Sequence, residues 1–260
     1  MLRFRYGDTP WQFGELRLPA GAGPHPVAVV VHGGGWQSRT NLGYMRPVAE
    51  ALTQRGFATW TVEYRRVGNP GGGWPGTFED LARSTDYLRL LAAPQSLDLG
   101  RVVSVGHSSG GHLALWLAGR RRLTDPRFAL GESGVALRGA VSLAGIPDLS
   151  AHWAVQRESG RLNLISPLLG GDPDRVPDRV ALASPAQLLP LGVPQVIVHG
   201  DADTAVPIQE SRAYVEQAQA QAQGDIVRLV ELPGLGHLDV VDVHGPAWNV
   251  VEREIEDLLL

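Results

Sequence analysis

The chain contains no cysteine. That excludes a disulfide framework, a thiolate metal site and a cysteine nucleophile. Long apolar runs are also missing, and nothing approaches the roughly 20 residues needed to span a bilayer. The opening residues, Met1-Leu2-Arg3-Phe4-Arg5-Tyr6-Gly7-Asp8, lack the apolar core of a secretory signal. Charges of the two signs are mixed along the chain. The 23 basic and 27 acidic residues are interspersed and sum to -4, so no basic stripe awaits nucleic acid and no acidic tail extends into solvent. Aspartates and histidines do not fall at metal-ligand spacing, so no metal is expected. The stretch Asn69-Pro70-Gly71-Gly72-Gly73-Trp74-Pro75 has three glycines but neither the lysine nor the helix start of a phosphate loop. The expectation from these absences is a cytoplasmic globular protein with no cofactor, no nucleic-acid partner and no membrane.

What is present is an alternation of strands and helices. Leu2 to Tyr6 and Trp11 to Leu18 alternate apolar and polar residues around Gly-Asp-Thr-Pro, which reads as an antiparallel hairpin. Val27 to Val31 is apolar on both faces, as suits a central strand of a covered sheet. Further strands are expected over Phe57 to Tyr64, Arg101 to Val105, Val135 to Leu143, Val193 to His199 and Asp225 to Leu232. Helical spacing covers Val48 to Arg55, Phe78 to Leu91, Ile208 to Ala222 and Pro246 to Leu259. A chain of 260 residues with this rhythm implies one α/β domain, residues 1–260, with a mostly parallel sheet and helices on both faces. Residues 146–193 break the rhythm with prolines at 147, 167, 173, 177, 185 and 190. They read as a lid-like insertion of short helices and loops.

The most informative stretch is Gly106-His107-Ser108-Ser109-Gly110. An apolar strand enters it and an apolar helix from His112 leaves it. That layout matches a nucleophile elbow, with Ser108 exposed on a strained strand-to-helix turn. A serine hydroxyl is a weak nucleophile, so it needs a base and donors for the oxyanion formed on attack. Of eight histidines, His237 in Gly234-Leu235-Gly236-His237-Leu238 follows the last strand and can turn back over the sheet. His244 is its competitor. His107 and His112 lie too close to Ser108 along the chain to face it, and His199 ends a strand in a structural setting. The carboxylate that orients the base is expected after the penultimate strand, where Asp203 is chosen and Asp201 braces the turn. Oxyanion donors are the N–H of Ser109, at a helix N-terminus, and those of Gly34 and Gly35 in His32-Gly33-Gly34-Gly35-Trp36. His32 reads as a brace for that loop. Trp36, Trp74 and Trp153 lie on loops or the insertion near the strand ends and are candidate pocket residues.

With serine, acid and base in the order Ser108, Asp203, His237, the chain resembles the α/β-hydrolase superfamily. Three motifs narrow the resemblance: His32-Gly33-Gly34-Gly35-Trp36, Gly106-His107-Ser108-Ser109-Gly110-Gly111-His112, and His199-Gly200-Asp201-Ala202-Asp203. Together they look like the esterase, acylaminoacyl-peptidase and kynurenine formamidase (arylformamidase) branch. That resemblance implies a catalytic triad of Ser108, Asp203 and His237, an acyl-enzyme, and a small-molecule ester or amide as substrate. It departs from the formamidases at Gly35, where they often carry tyrosine, and from the common elbow at Ser109, where alanine is more frequent. The first reading is therefore a carboxylesterase-type serine hydrolase. The alternative is an arylformamidase acting on N-formylkynurenine, and a third is a hydrolase-like scaffold that binds without turnover. A homodimer is the default assembly.

Overall fold

The computed structural model describes residues 1–221 and 226–259. Its strands are β1 Leu2–Arg5, β2 Phe13–Arg17, β3 His25–Val31, β4 Ala58–Val62, β5 Leu97–His107, β6 Gly139–Leu143, β7 Gln195–Gly200 and β8 Val227–Leu232. The helices are α1 Arg46–Gln54, α2 Gly76–Asp86, α3 Leu88–Ala92, α4 Ser109–Gly119, α5 Leu149–Glu158, α6 Ile165–Leu169, α7 Pro177–Ala183, α8 Pro185–Leu188, α9 Ile208–Ala220 and α10 Trp248–Leu259. Of the expected elements, Ala222 and Asp225 lie outside the described residues. Among the described residues no helix is long and apolar enough to cross a membrane.

The eight strands form one sheet in the order β1-β2-β4-β3-β5-β6-β7-β8. Strand β2 runs antiparallel to both β1 and β4, and every other pairing is parallel. The period of two along β3 explains its composition. Val27, Val29 and Val31 enter the core under α2, α4 and α9, while Ala28 and Val30 enter the core under α1 and α10. All five are fully buried. A strand covered on both faces favours a continuous apolar run over alternation.

Strand order also locates the site. From β3 the chain passes to β4 on one side, then crosses back to β5 on the other. The order reverses between β3 and β5, and the loops after these two strands diverge to open a crevice at their carboxyl ends.

Two expected elements differ for reasons set by distant residues. The helix expected over Phe78 to Leu91 is divided at Tyr87. There the Trp60 indole N–H donates to the Ser84 carbonyl at 3.1 Å, the acceptor that a continuous helix would give to the Leu88 N–H. The Tyr87 ring stacks on Trp60 at 6.3 Å. The strand expected from Val135 starts at Gly139, because the Val135 N–H is taken by Asp86 Oδ1 at 2.9 Å. Residues 146–193 carry α5 to α8. Asp148 caps α5 by accepting from the Ser150 and Ala151 amides.

Candidate active site

Strand β5 ends at His107 and α4 begins at Ser109. Ser108 between them has φ 57° and ψ -124°, a conformation costing on the order of 1–3 kcal/mol. Close packing explains the glycines beside it. A Cβ on Gly106 would lie 2.0 Å from the Gly110 carbonyl oxygen, and one on Gly110 would lie 2.3 Å from the Val31 oxygen. The turn is fixed by the Ser108 N–H donating to the Leu143 carbonyl at 2.9 Å.

The loop after β7 supplies Asp203, whose side chain is wholly buried. Its Oδ1 accepts from the Ala205 and Val206 amides at 2.7 and 2.9 Å. Its Oδ2 accepts from His237 Nδ1 at 2.6 Å and from His199 Nε2 at 3.1 Å. Burial alone would raise this carboxyl, but the hydrogen bonds from His199, His237 and Val206 outweigh it. Asp203 is held well below the usual carboxylate range. Asp201 instead accepts from the Gly234 amide at 2.6 Å, joining the loops after β7 and β8. With Nδ1 directed to Asp203, His237 keeps Nε2 for another partner.

One cavity of about 240 Å³ is lined by Gly34, Thr40, Tyr44, His107, Ser108, His237 and Leu238. It sits where the loops after β3, β5 and β8 converge. His244 is elsewhere, in a crevice with Glu50, Arg55 and Trp248 against α1 and α10.

The glycine loop after β3 sorts its own donors. The Gly33 N–H donates to the Tyr44 hydroxyl oxygen, and the Trp36 N–H to Ser109 Oγ at 3.3 Å. The N–H groups of Gly34, Gly35 and Ser109 have no acceptor among the described residues. Gly34 and Gly35 have φ 103° and 63°, which glycine adopts without a Cβ penalty. His32 braces the loop, bonding to the Gly33 carbonyl at 2.8 Å and to Glu63 at 3.1 Å.

The three tryptophans do not line this cavity. Trp36 is fully buried. Its φ of 56° turns it back onto α4, where its indole N–H donates to His112 Nδ1 at 3.2 Å. Trp74 packs on Phe78 and Phe128. Trp153 donates to Ser166 Oγ and faces Arg157. The expectation that they line a substrate pocket is not met at this cavity, because partners on neighbouring elements hold each ring.

Conversely, sequence position speaks against His107 and gives no signal for Tyr44 or Thr40, yet all three line the cavity. The side chain of Ser109 also has a task, as the acceptor for Trp36. His199, read as structural, directly contacts Asp203. Among the described residues no cluster of three or more His, Asp or Glu is arranged to hold a metal.

The BD-FAE family model matches residues 15–217. Esterase LipC of Mycobacterium tuberculosis is 29% identical, over 92% of this chain and 60% of LipC. The chain thus spans less than two thirds of that relative's length. Thermogutta terrifontis esterase 2, in a structure phosphonylated by sarin, aligns with a TM-score of 0.79 at 21% identity, over 99% of this chain and 93% of that one. A truncated carbohydrate esterase from gut microbiota aligns with a TM-score of 0.77 at 22% identity, over 99% of this chain and 96% of that one. The fold is that of the α/β-hydrolases.

Proposed function

Starting from a chain that belongs to the BD-FAE family, we propose a serine hydrolase that cleaves small carboxylic esters through an acyl-enzyme on Ser108. One observation carries this reading. The elbow serine and His237 line a single cavity, and His237 is held by a buried carboxylate at 2.6 Å.

In this reading Ser108 Oγ attacks the ester carbonyl carbon and its proton passes to His237 Nε2. Asp203 keeps the imidazole in the Nδ1–H tautomer and stabilises the imidazolium that forms. The oxyanion accepts from the amides of Gly34, Gly35 and Ser109, whose N–H groups have no other acceptor among the described residues. Fixed donors of this kind contribute about 3 kcal/mol each to the transition state. His237 then gives the proton to the departing alkoxide, leaving the acyl group on Ser108. Water, deprotonated by the same imidazole, releases the acid and regenerates the enzyme.

The cavity walls suit an apolar acyl or alcohol group, with Leu238 and Thr40 beside Ser108. We read residues 146–193 as a fixed cover beside the cleft: Leu164 approaches Gly35, and α7 is tied to α4 through the Ala183 carbonyl and His112 at 2.9 Å. The name esterase, carried by LipC, agrees with the reaction.

The test compares kcat/KM for p-nitrophenyl acetate, p-nitrophenyl butyrate and N-formylkynurenine, with Ser108→Ala as the blank. The short esters are expected to be turned over and the blank to be silent. Near-normal ester hydrolysis by pure Ser108→Ala would remove Ser108 from the mechanism. A formyl substrate preferred by orders of magnitude would replace esterase with formamidase.

A further inference from the structure

Two residues of the Ser108 cavity have no task in that reaction, namely His107 and Tyr44. Their hydrogen bonds have only one consistent set of directions. The His237 main-chain oxygen can only accept, so His107 Nε2 carries the proton that reaches it at 2.8 Å. His107 Nδ1 is then an acceptor, and it takes the Tyr44 O–H at 3.1 Å. The Tyr44 oxygen in turn accepts the Gly33 N–H. Three hydrogen bonds therefore run from Gly33 through Tyr44 and His107 to the main chain of His237. They connect the glycine loop after β3 with the base loop after β8, which share no strand pairing.

We propose that Tyr44 and His107 are positioning residues that hold the oxyanion loop and the base loop in one register, with Tyr44 withdrawing the Gly33 amide so that Gly34 and Gly35 face the substrate. The proposal rests on the serine-hydrolase reading above. It gives His237 two anchors of different kind. Asp203 fixes the ring from Nδ1, and His107 fixes the backbone that carries the ring. The two imidazoles lie with centroids 4.7 Å apart, so a displacement of either loop moves the base relative to Ser108. Burial, followed by the neighbouring His237, pushes His107 down to about 3. It therefore stays neutral near neutral pH and neither competes as a base nor reverses the chain.

The experiment uses full-length Tyr44→Phe, His107→Gln, His107→Asn and the Tyr44→Phe/His107→Asn double variant, with Ser108→Ala as the blank. Phenylalanine keeps the Tyr44 ring and removes only the hydroxyl. Glutamine places an amide near the position of His Nε2 and retains a donor for the His237 carbonyl, whereas asparagine reaches only the Nδ1 position. Tyr44→Phe is expected to lower kcat by about tenfold with KM nearly constant, the signature of misplaced catalytic groups. His107→Asn is expected to lose at least as much, and His107→Gln to recover most of it. Because both residues belong to one chain of bonds, the double variant should lose no more than the worse single variant.

Wild-type kcat in Tyr44→Phe, a loss confined to KM, glutamine no better than asparagine, or single losses that multiply would each overturn the proposal. The blank separates loss of the nucleophile from loss of positioning. Turnover by Ser108→Ala defeats the serine-hydrolase reading itself, while a silent blank beside an unaffected Tyr44→Phe defeats the positioning role alone.

Discussion

Asp203→Asn changes one atom in a carboxylate that receives four donors, and its effect can be worked from their geometry. Two of those donors, the Ala205 and Val206 amides on Oδ1, cannot reverse direction. The asparagine oxygen must therefore occupy the Oδ1 site and the NH2 group the Oδ2 site. There it meets the ring N–H of His237, 2.6 Å from the present oxygen, and that of His199 at 3.1 Å. Donor faces donor, and His237 relieves the conflict by moving its proton to Nε2. That is the nitrogen that must accept from Ser108, so the base is lost although the ring stays in place. The expected fall in kcat is about 10⁴-fold, equivalent to about 5.4 kcal/mol of transition-state stabilisation. His199 retains the Val206 carbonyl as an acceptor at 3.0 Å, so folding should weaken by only about 1–3 kcal/mol. Steady-state hydrolysis of p-nitrophenyl acetate at neutral pH, alongside a melting curve, measures both. A folded Asp203→Asn with kcat within tenfold of the parent would refute the reasoning.

Acidification is expected to destabilise the fold through buried neutral histidines. Burial lowers His112 from its ordinary 6.5 to about 4, and lowers His107 to about 3. Below 6.5 the unfolded chain binds protons that these folded rings refuse. Stability is thus complete above that value and declines as pH falls toward 4. At pH 5.5 each ring contributes a loss on the order of 1 kcal/mol, together lowering Tm by about 4–8 °C relative to pH 7.5. His112→Gln should flatten this slope, and an unchanged slope would contradict the assignment. Ser108→Gly removes both the nucleophile and the Cβ strained at φ 57°. Taking about 2 kcal/mol for the relief and about 1 kcal/mol for glycine entropy leaves about 1 kcal/mol, which should raise its Tm about 2–4 °C above that of Ser108→Ala. Equal melting of the two would show that any strain at the elbow does not exceed the entropy cost of glycine.

The alternation of layers is legible in the sequence because it is written locally. Val27 to Val31 suits a strand covered on both faces, and the glycines around Ser108 mark a turn with no room for side chains. Ser108, Asp203 and His237 each follow a strand, so a parallel sheet carries all three to its carboxyl edge. The features that were not legible depend on partners far along the chain. Tyr44 and His107 are 63 residues apart, and His107 reaches the His237 carbonyl across 130 residues. No periodicity reports such a pairing. Nearness to Ser108 in sequence argued against His107 facing it, yet its ring turns instead toward the base loop. Trp36 shows the same limit from the other side. Its loop position suggests the cleft, but a left-handed backbone and the nitrogen of His112 turn it into the core. The break at Tyr87 likewise originates in Trp60, 24 residues before Ser84.

The mechanism turns on a covalent intermediate on Ser108. The most direct measurement is peptide mapping by mass spectrometry after rapid acid quench of the enzyme mixed with p-nitrophenyl acetate. The account requires one acetyl group on the peptide carrying Ser108, formed during a burst of p-nitrophenol and absent from Ser108→Ala. An acetyl group on another residue in the burst phase, or a burst that survives in Ser108→Ala, would contradict it.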